Sequence, residues 1–370
     1  MADFHGIIFA YSAAPEMGEL VRTRTSSSLP FCGRYRLIDF ALSSMQNAGI
    51  RDVGVIMQRD YQSLLDHLGS GKDWDMSRRR GGLRMLPPFG LPEYHTGEYI
   101  GTIEALNAVS TYIHDIPQKH VVIMRGSLAA NLDLDAAIQQ HLSSGAELTA
   151  VCAPGAPSET HHRFVPDADG FSSKMLFTRT GGGEGAASLE VYIIEKELLV
   201  KMMESCAAEN KRHFHRDAIA GYLQHGGRIG IYMHDGYAAA ITTVADYFRA
   251  NMDMLQADKR AAMFPPSRPV RTKNHEEVST YYGEEACACN SLVADGCIIE
   301  GTVNNSILFS DVRVAPGAVL DGCIVMRGGV IGENAQLKNV IADKYAELSP
   351  YITLTGSPRL PIVVPKSSKI

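Results

Sequence analysis

Short apolar runs alternate with amphipathic stretches from Phe4 to about Ala257. The runs Ile7–Tyr11, Val53–Met57, Val121–Met124, Leu148–Cys152, Leu189–Ile194 and Ile229–Met233 have the length and β-branched content of strands. The intervening pattern predicts helices at Leu37–Ala48, Thr102–Ile113, Asp135–Ser143 and Glu197–Cys206, the last with Leu198, Leu199, Met202 and Met203 as its apolar positions. Strand–helix alternation implies an α/β unit with a largely parallel sheet covered on both faces, whose ligands gather beyond the carboxyl ends of the strands. The loops after Tyr11 and Met124 are therefore where chemistry is expected.

Glycine and proline punctuate this pattern. Arg78-Arg79-Arg80-Gly81-Gly82 reads as a mobile connection. Thr180-Gly181-Gly182-Gly183-Glu184-Gly185 reads as a hairpin tip or linker, since no helix pattern follows it as a nucleotide-binding loop requires. The Pro-rich stretch Phe264–Pro269 predicts a stiff extended linker. Beyond it the period changes: Val293 and Ile299, then Val319, Val325, Ile331 and Leu337, recur at intervals of six, with Leu308, Val314, Leu320 and Met326 as a parallel series. Such spacing, with Gly, Asn and Asp interleaved, predicts a hexapeptide β-helix, an architecture that commonly serves in subunit assembly. The expected division is an α/β domain at 1–263, a linker at 264–285 and a left-handed parallel β-helix at 286–370.

At 370 residues, 45% apolar and 21% charged, the chain can bury two cores. A net charge of −6 gives no attraction to nucleic acid or to an anionic membrane surface. No apolar run approaches the roughly 20 residues of a membrane span, and Met1–His5 lacks the basic start of a secretory leader, so the chain reads as cytoplasmic. Seven cysteines, an odd number, fit reduced thiols, and Cys287-Ala288-Cys289 lacks the spacing of a zinc knuckle. The histidines of His161-His162 and His213/His215 have no carboxylate or cysteine at ligand spacing and read as solvated or capping groups.

The block Phe31–Ser44 with the closing Asn47-Ala48-Gly49-Ile50 resembles the N-terminal signature of bacterial glucose-1-phosphate adenylyltransferases. Gly101-Thr102-Ile103-Glu104-Ala105, Ala187–Tyr192, Tyr247–Asp253 and Asn290-Ser291-Leu292-Val293 extend the resemblance over the chain. It implies a family reaction in which ATP and glucose 1-phosphate give ADP-glucose and pyrophosphate, the supply step of bacterial glycogen. That chemistry uses a Gly-rich cradle, cationic side chains and Mg²⁺ held by two aspartates.

Position by position, the resemblance also implies what is missing. The family's Gly-rich loop falls on Tyr11-Ser12-Ala13-Ala14-Pro15, and its phosphate-binding lysine on Ser26. Its two metal aspartates fall on Ser127 and Ala240, so no metal ligand is expected there and no cofactor bound by this chain. Tyr11, Ser12, Gly101, Thr102 and Gly126 are the expected remnant of the substrate pocket, into which Glu190 brings a carboxylate in place of a small residue. Arg34 falls where the family has an effector-binding lysine, and with Arg36 it is a candidate for holding a phosphorylated regulator.

The resulting expectation is a GlgD-type regulatory subunit, itself inactive or nearly so. It would assemble with a catalytic partner, which supplies the Mg²⁺ site, into a hetero-tetramer, with homo-oligomers left open. The competing readings are an active nucleotidyltransferase with an altered substrate or a relocated metal site, for which Asp133, Asp135 and Asp235 are the nearby carboxylates, and a free-standing sugar-nucleotide sensor.

Overall fold

A computed structural model describes residues 3–11, 15–88, 99–154, 161–178, 183–274 and 277–370. The predicted alternation folds into a ten-stranded sheet. Its central strand, Phe4–Phe9, runs parallel to Val53–Ile56 on one side and His120–Arg125 on the other. Leu83–Leu86 extends the sheet beyond Val53–Ile56, and Ile229–Met233 lies parallel to Leu148–Ala153. The expectation of a largely parallel sheet holds for these main strands, but Ala186–Glu195 runs antiparallel to both His120–Arg125 and Leu148–Ala153, and the short strands His161–Phe164, Phe171–Ser172 and Met175–Thr178 also pair antiparallel at that side of the sheet.

Every residue of Phe4–Phe9 is buried, because both faces of the sheet are covered. Alternate side chains feed separate layers. Ile8 joins Ile38, Leu42 and Met124, whereas Ile7 and Phe9 join Ile103, Leu106, Val121 and Ile194. The helices Leu37–Asn47, Leu134–Ser144 and Lys196–Ala208 lie close to their expected bounds. The expected Thr102–Ile113 helix is instead two, Thr102–Ala108 and Ser110–His114, broken at the β-branched Val109. Among the described residues no helix is long and apolar enough to cross a membrane.

From Tyr281 onward the chain winds into three parallel sheets of five strands each, the three sides of a left-handed β-helix. The strand Tyr281–Tyr282 falls within the stretch read as linker. The two apolar series seen in the sequence merge into one inward row that steps by six, six and five: Leu308, Val314, Leu320, Val325, Ile331, Leu337, Ala342 and Leu348 are all buried. Repeats therefore stack Leu308 on Val325 on Ala342, and Val303 on Leu320 on Leu337. Val319 of the first series and Met326 of the second lie one position out of phase with this row, and Met326 faces the α/β domain. Asn290 and Asn305 have positive φ and form a hydrogen-bonded ladder with Asp321 along one corner, which explains the polar residues between the apolar ones.

Neither domain stands apart. Ile307, Ile324 and Ile341 stack in register on one side of the β-helix and pack with Leu29, Phe31, Phe40, Tyr247 and Met254. At the same interface Arg24 reaches Asp343 through two hydrogen bonds of 2.6 and 2.5 Å, both side chains fully buried. The Pro-rich segment is docked along the α/β domain and is not a free spacer. Asn131 Nδ2 donates to the carbonyls of Met263 and Arg268, Trp74 Nε1 donates to Arg271, and Phe264 stacks on Tyr35.

Candidate functional site

The carboxyl ends of Phe4–Phe9 and His120–Arg125 open onto a cleft that gathers most of the residues expected there. Tyr11 is buried, and its Oη has no hydrogen-bond partner among the described residues. Burial pushes its phenol well above the usual range. Gly126 donates its N–H to the Phe9 carbonyl, and a Cβ at Gly126 would come within 2.6 Å of Ser27 Oγ. The short turn Ser26–Ser28 is therefore pressed against the strand ends, with the hydroxyls of Ser26 and Ser27 buried and unpartnered among the described residues. Ser12 lies outside the described residues.

Ser127 and Ala240 come together as the resemblance implies. Leu128 pairs with Ala240 across two antiparallel strands, and the Ile241 N–H donates to the Ser127 carbonyl at 3.4 Å. At these positions a hydroxyl and a methyl group stand where a divalent ion of the Mg²⁺ type needs charged oxygens, so the pair does not fit one. The other candidate carboxylates are engaged elsewhere or exposed. Asp133 caps the Leu134–Ser144 helix by accepting from Ala136 and pairs with Arg268 at 2.8 Å, while Asp135 and Asp235 are exposed.

Gly101 and Thr102 position backbone. The Gly101 Cα runs so close to the Arg212 carbonyl that a Cβ would collide with it, and Thr102 Oγ1 accepts the Phe214 N–H at 3.2 Å. Together they hold the π-helical turn Phe214–Ile219 against the cleft. On the opposite wall the Ala186–Glu195 strand bulges between Ser188 and Val191, leaving Glu190 at φ 56. The bulge turns Glu190 towards Arg125, whose Nη1 donates to its carboxylate at 2.8 Å. Burial alone would raise the Glu190 carboxyl, but Arg125, with His215 and His162, outweighs it and holds the group down at about 2. Burial also lowers the His215 imidazole, against the opposing pull of Glu190.

The reading of the histidines needs correction. His162 and His215 have a carboxylate neighbour, Glu190, and their rings stack with centroids 4.5 Å apart. Residue spacing hid this, because the three come from a hairpin strand, a bulge and a π-helical turn that only the tertiary fold brings together.

A second cleft lies between the domains. Cys32-Gly33-Arg34 forms the turn between the strands Pro30–Phe31 and Tyr35–Arg36, and the Tyr247–Asp253 motif holds that turn in place. Tyr247 Oη donates to the Pro30 carbonyl at 2.6 Å, and Asn251 Oδ1 accepts the Cys32 N–H at 3.0 Å. The cavity measures about 480 Å³ and is lined by Arg34, Arg36, Arg260, Lys273, Arg327 and Lys344, against the carboxylates Glu277 and Asp295. Arg34 is exposed, 3.4 Å from Asn274; Arg36 is half-buried, with Nη1 donating to the Ser63 carbonyl at 2.6 Å. Burial and the neighbouring Arg36 and Arg24 bring the Lys344 ammonium down to about 7. Sequence reasoning found Arg34 and Arg36 and missed Lys273 and Lys344, which arrive from the linker and from a β-helix corner.

Fold and clefts define a class, a nucleotidyltransferase domain joined to a hexapeptide β-helix. The nucleotidyl transferase family profile matches residues 13–164, and the GlmU-like C-terminal hexapeptide profile matches residues 274–357. The chain is 35% identical over 340 residues to the glycogen biosynthesis protein GlgD of Geobacillus stearothermophilus, covering 85% of this chain and 82% of that one. It is 31% identical to GlgD of Bacillus subtilis (strain 168), covering 98% and 95%. A glucose-1-phosphate adenylyltransferase of Thermomicrobium roseum is 33% identical, covering 91% and 84%. The chain belongs to the family of the GlgD glycogen biosynthesis proteins, which is related to the glucose-1-phosphate adenylyltransferases.

Proposed function

We propose that this chain is a regulatory subunit of a cytoplasmic glucose-1-phosphate adenylyltransferase and does not itself join ATP to glucose 1-phosphate. The observation behind this reading is the adjoining pair Ser127 and Ala240, which presents no carboxylate to a metal ion, with Ser26 in place of a lysine on the facing turn. A triphosphate entering the cleft would meet hydroxyls, aromatic rings and a carboxylate at Glu190, with Arg125 already committed to that carboxylate. Phosphoryl-type chemistry depends on cations and a metal to neutralise its transition state, and losing a metal worth several kcal/mol costs about 10³ in rate.

In this proposal the chain acts by contact. It joins a catalytic subunit in a mixed tetramer, and its folded surface favours the partner's active state. The interdomain cavity is the natural seat of a phosphorylated effector, because cations outnumber carboxylates among its described lining residues and Arg36 already holds its guanidinium in place. The test is to assay ADP-glucose and pyrophosphate formation by the purified chain, by the catalytic subunit and by the two co-expressed. The expected result is negligible turnover by this chain and a higher rate, with an altered effector response, for the mixture. Mg²⁺-dependent synthesis by this chain alone, at a rate comparable to the catalytic subunit, would reject the reading.

A further inference from the structure

The geometry points to a binding site for a divalent transition-metal ion of the zinc class, formed by His162, Glu190 and His215. One ligand atom from each residue lies within 4.8 Å of the others, close enough for one ion to meet all three with small side-chain adjustments.

The three are held from different directions. His162 belongs to the His161–Phe164 strand, with its ring against Phe177 at 5.3 Å. His215 sits in the Phe214–Ile219 turn between Tyr192 and Phe214, and its Nε2 is buried with no hydrogen-bond partner among the described residues. Glu190 is aimed by the bulge, and Arg125 steadies one of its oxygens. A carboxylate has lone pairs enough to accept from Arg125 and ligate an ion, so Arg125 acts as an outer partner orienting a ligand.

The donor set also selects the metal. One carboxylate, partly neutralised by Arg125, offers too little charge for Mg²⁺ or Ca²⁺, which need several oxygens. Two imidazoles suit Zn²⁺, Co²⁺, Ni²⁺ or Cu²⁺. Three protein ligands leave a coordination position for water or a ligand from the cleft. An ion there would tie the hairpin, the bulge and the π-helical turn across the cleft mouth. The inference does not rest on the regulatory reading, since it concerns binding and not turnover.

The test is calorimetric titration of the chelator-treated full chain with Zn²⁺ and, separately, Mg²⁺, together with the absorption spectrum of the Co²⁺ form. The variants are His215→Ala and Glu190→Gly; φ 56 suits glycine, so the second removes a ligand without straining the strand. We expect one zinc equivalent and no Mg²⁺ binding. Both variants should weaken zinc by more than the 10–100-fold typical of losing an outer-shell partner. The Co²⁺ form should show ligand-field bands without thiolate charge transfer, which separates this site from the exposed Cys287 and Cys289. Zinc binding that is absent from the parent chain, unchanged in Glu190→Gly or accompanied by a thiolate spectrum would overturn the assignment.

Discussion

The two clefts of this chain are built from opposite materials. At the strand ends the lining is hydroxyl, aromatic ring and methyl group, and the Arg125 charge is cancelled by Glu190. Between the domains, six basic side chains face two carboxylates among the described residues. The sheet and its two cores use apolar residues that lie beneath the first cleft, so the fold does not depend on that cleft's polar groups. The packing that shapes this domain is thus separate from the charge at its strand ends. The second cleft differs because its basic groups are rooted in the domain interface, where fold and charge are coupled.

That coupling can be broken at Arg24–Asp343, where the largest effect is expected. Asp343→Ala leaves the Arg24 guanidinium buried without a counter-charge, which costs about 3–5 kcal/mol. Pairing it with Arg24→Met should recover most of the loss, because an apolar pair can replace a buried ion pair at little net cost. Urea unfolding of the parent, the single and the double variant checks this. A single variant as stable as the parent would mean that the ion pair is not rooted in the interface.

The comparison also shows what the sequence could reveal. Strand–helix alternation and six-residue spacing are local signals, and both domains followed from them. The antiparallel Ala186–Glu195 strand was not legible, because a buried apolar run looks the same in either direction. The mean spacing of the β-helix was visible, but its step of five was not; phase depends on where each corner turns, at residues such as Asn305 with positive φ. Ser26, Ser127 and Ala240 could be singled out because a family pattern gives each position a place. His162, Glu190 and His215, or Lys273 beside Lys344, were not, since only the fold makes them neighbours.

The charge of the interdomain cleft is sharpened by pH. With Lys344 at about 7, an anion that requires its ammonium binds best below that value and loses up to roughly tenfold in affinity per pH unit above it. Lys344→Met should flatten this dependence, measured by calorimetry with a sugar bisphosphate between pH 6 and 9. The same depression acts on stability in the opposite sense. From about pH 10 down to 7 the unfolded chain takes up a proton that folded Lys344 does not, so stability falls as pH drops, and Lys344→Met should remove that component. Affinity that is flat with pH in the parent chain would show that Lys344 takes no part in the cleft's charge.

The smallest expected effect probes the strand-end cleft, at the bulge that delivers Glu190. Glu190→Gly and Glu190→Ala remove the same carboxylate and the same contact with Arg125, so their difference reads the backbone alone. At φ 56 an alanine Cβ is strained and glycine is not; glycine's greater freedom in the unfolded chain offsets part of that advantage. The net expectation is that Glu190→Gly is more stable by about 1 kcal/mol, measured by urea unfolding. Such a gap would mean that the strand holds residue 190 in this conformation whatever its side chain, so that the fold itself aims the carboxylate into the cleft. Equal stabilities would mean that the bulge relaxes once the carboxylate is gone and that the Arg125 pair had created the geometry. The charge at the strand ends would then shape its own cleft, as the charge between the domains does, and the contrast between the two would narrow.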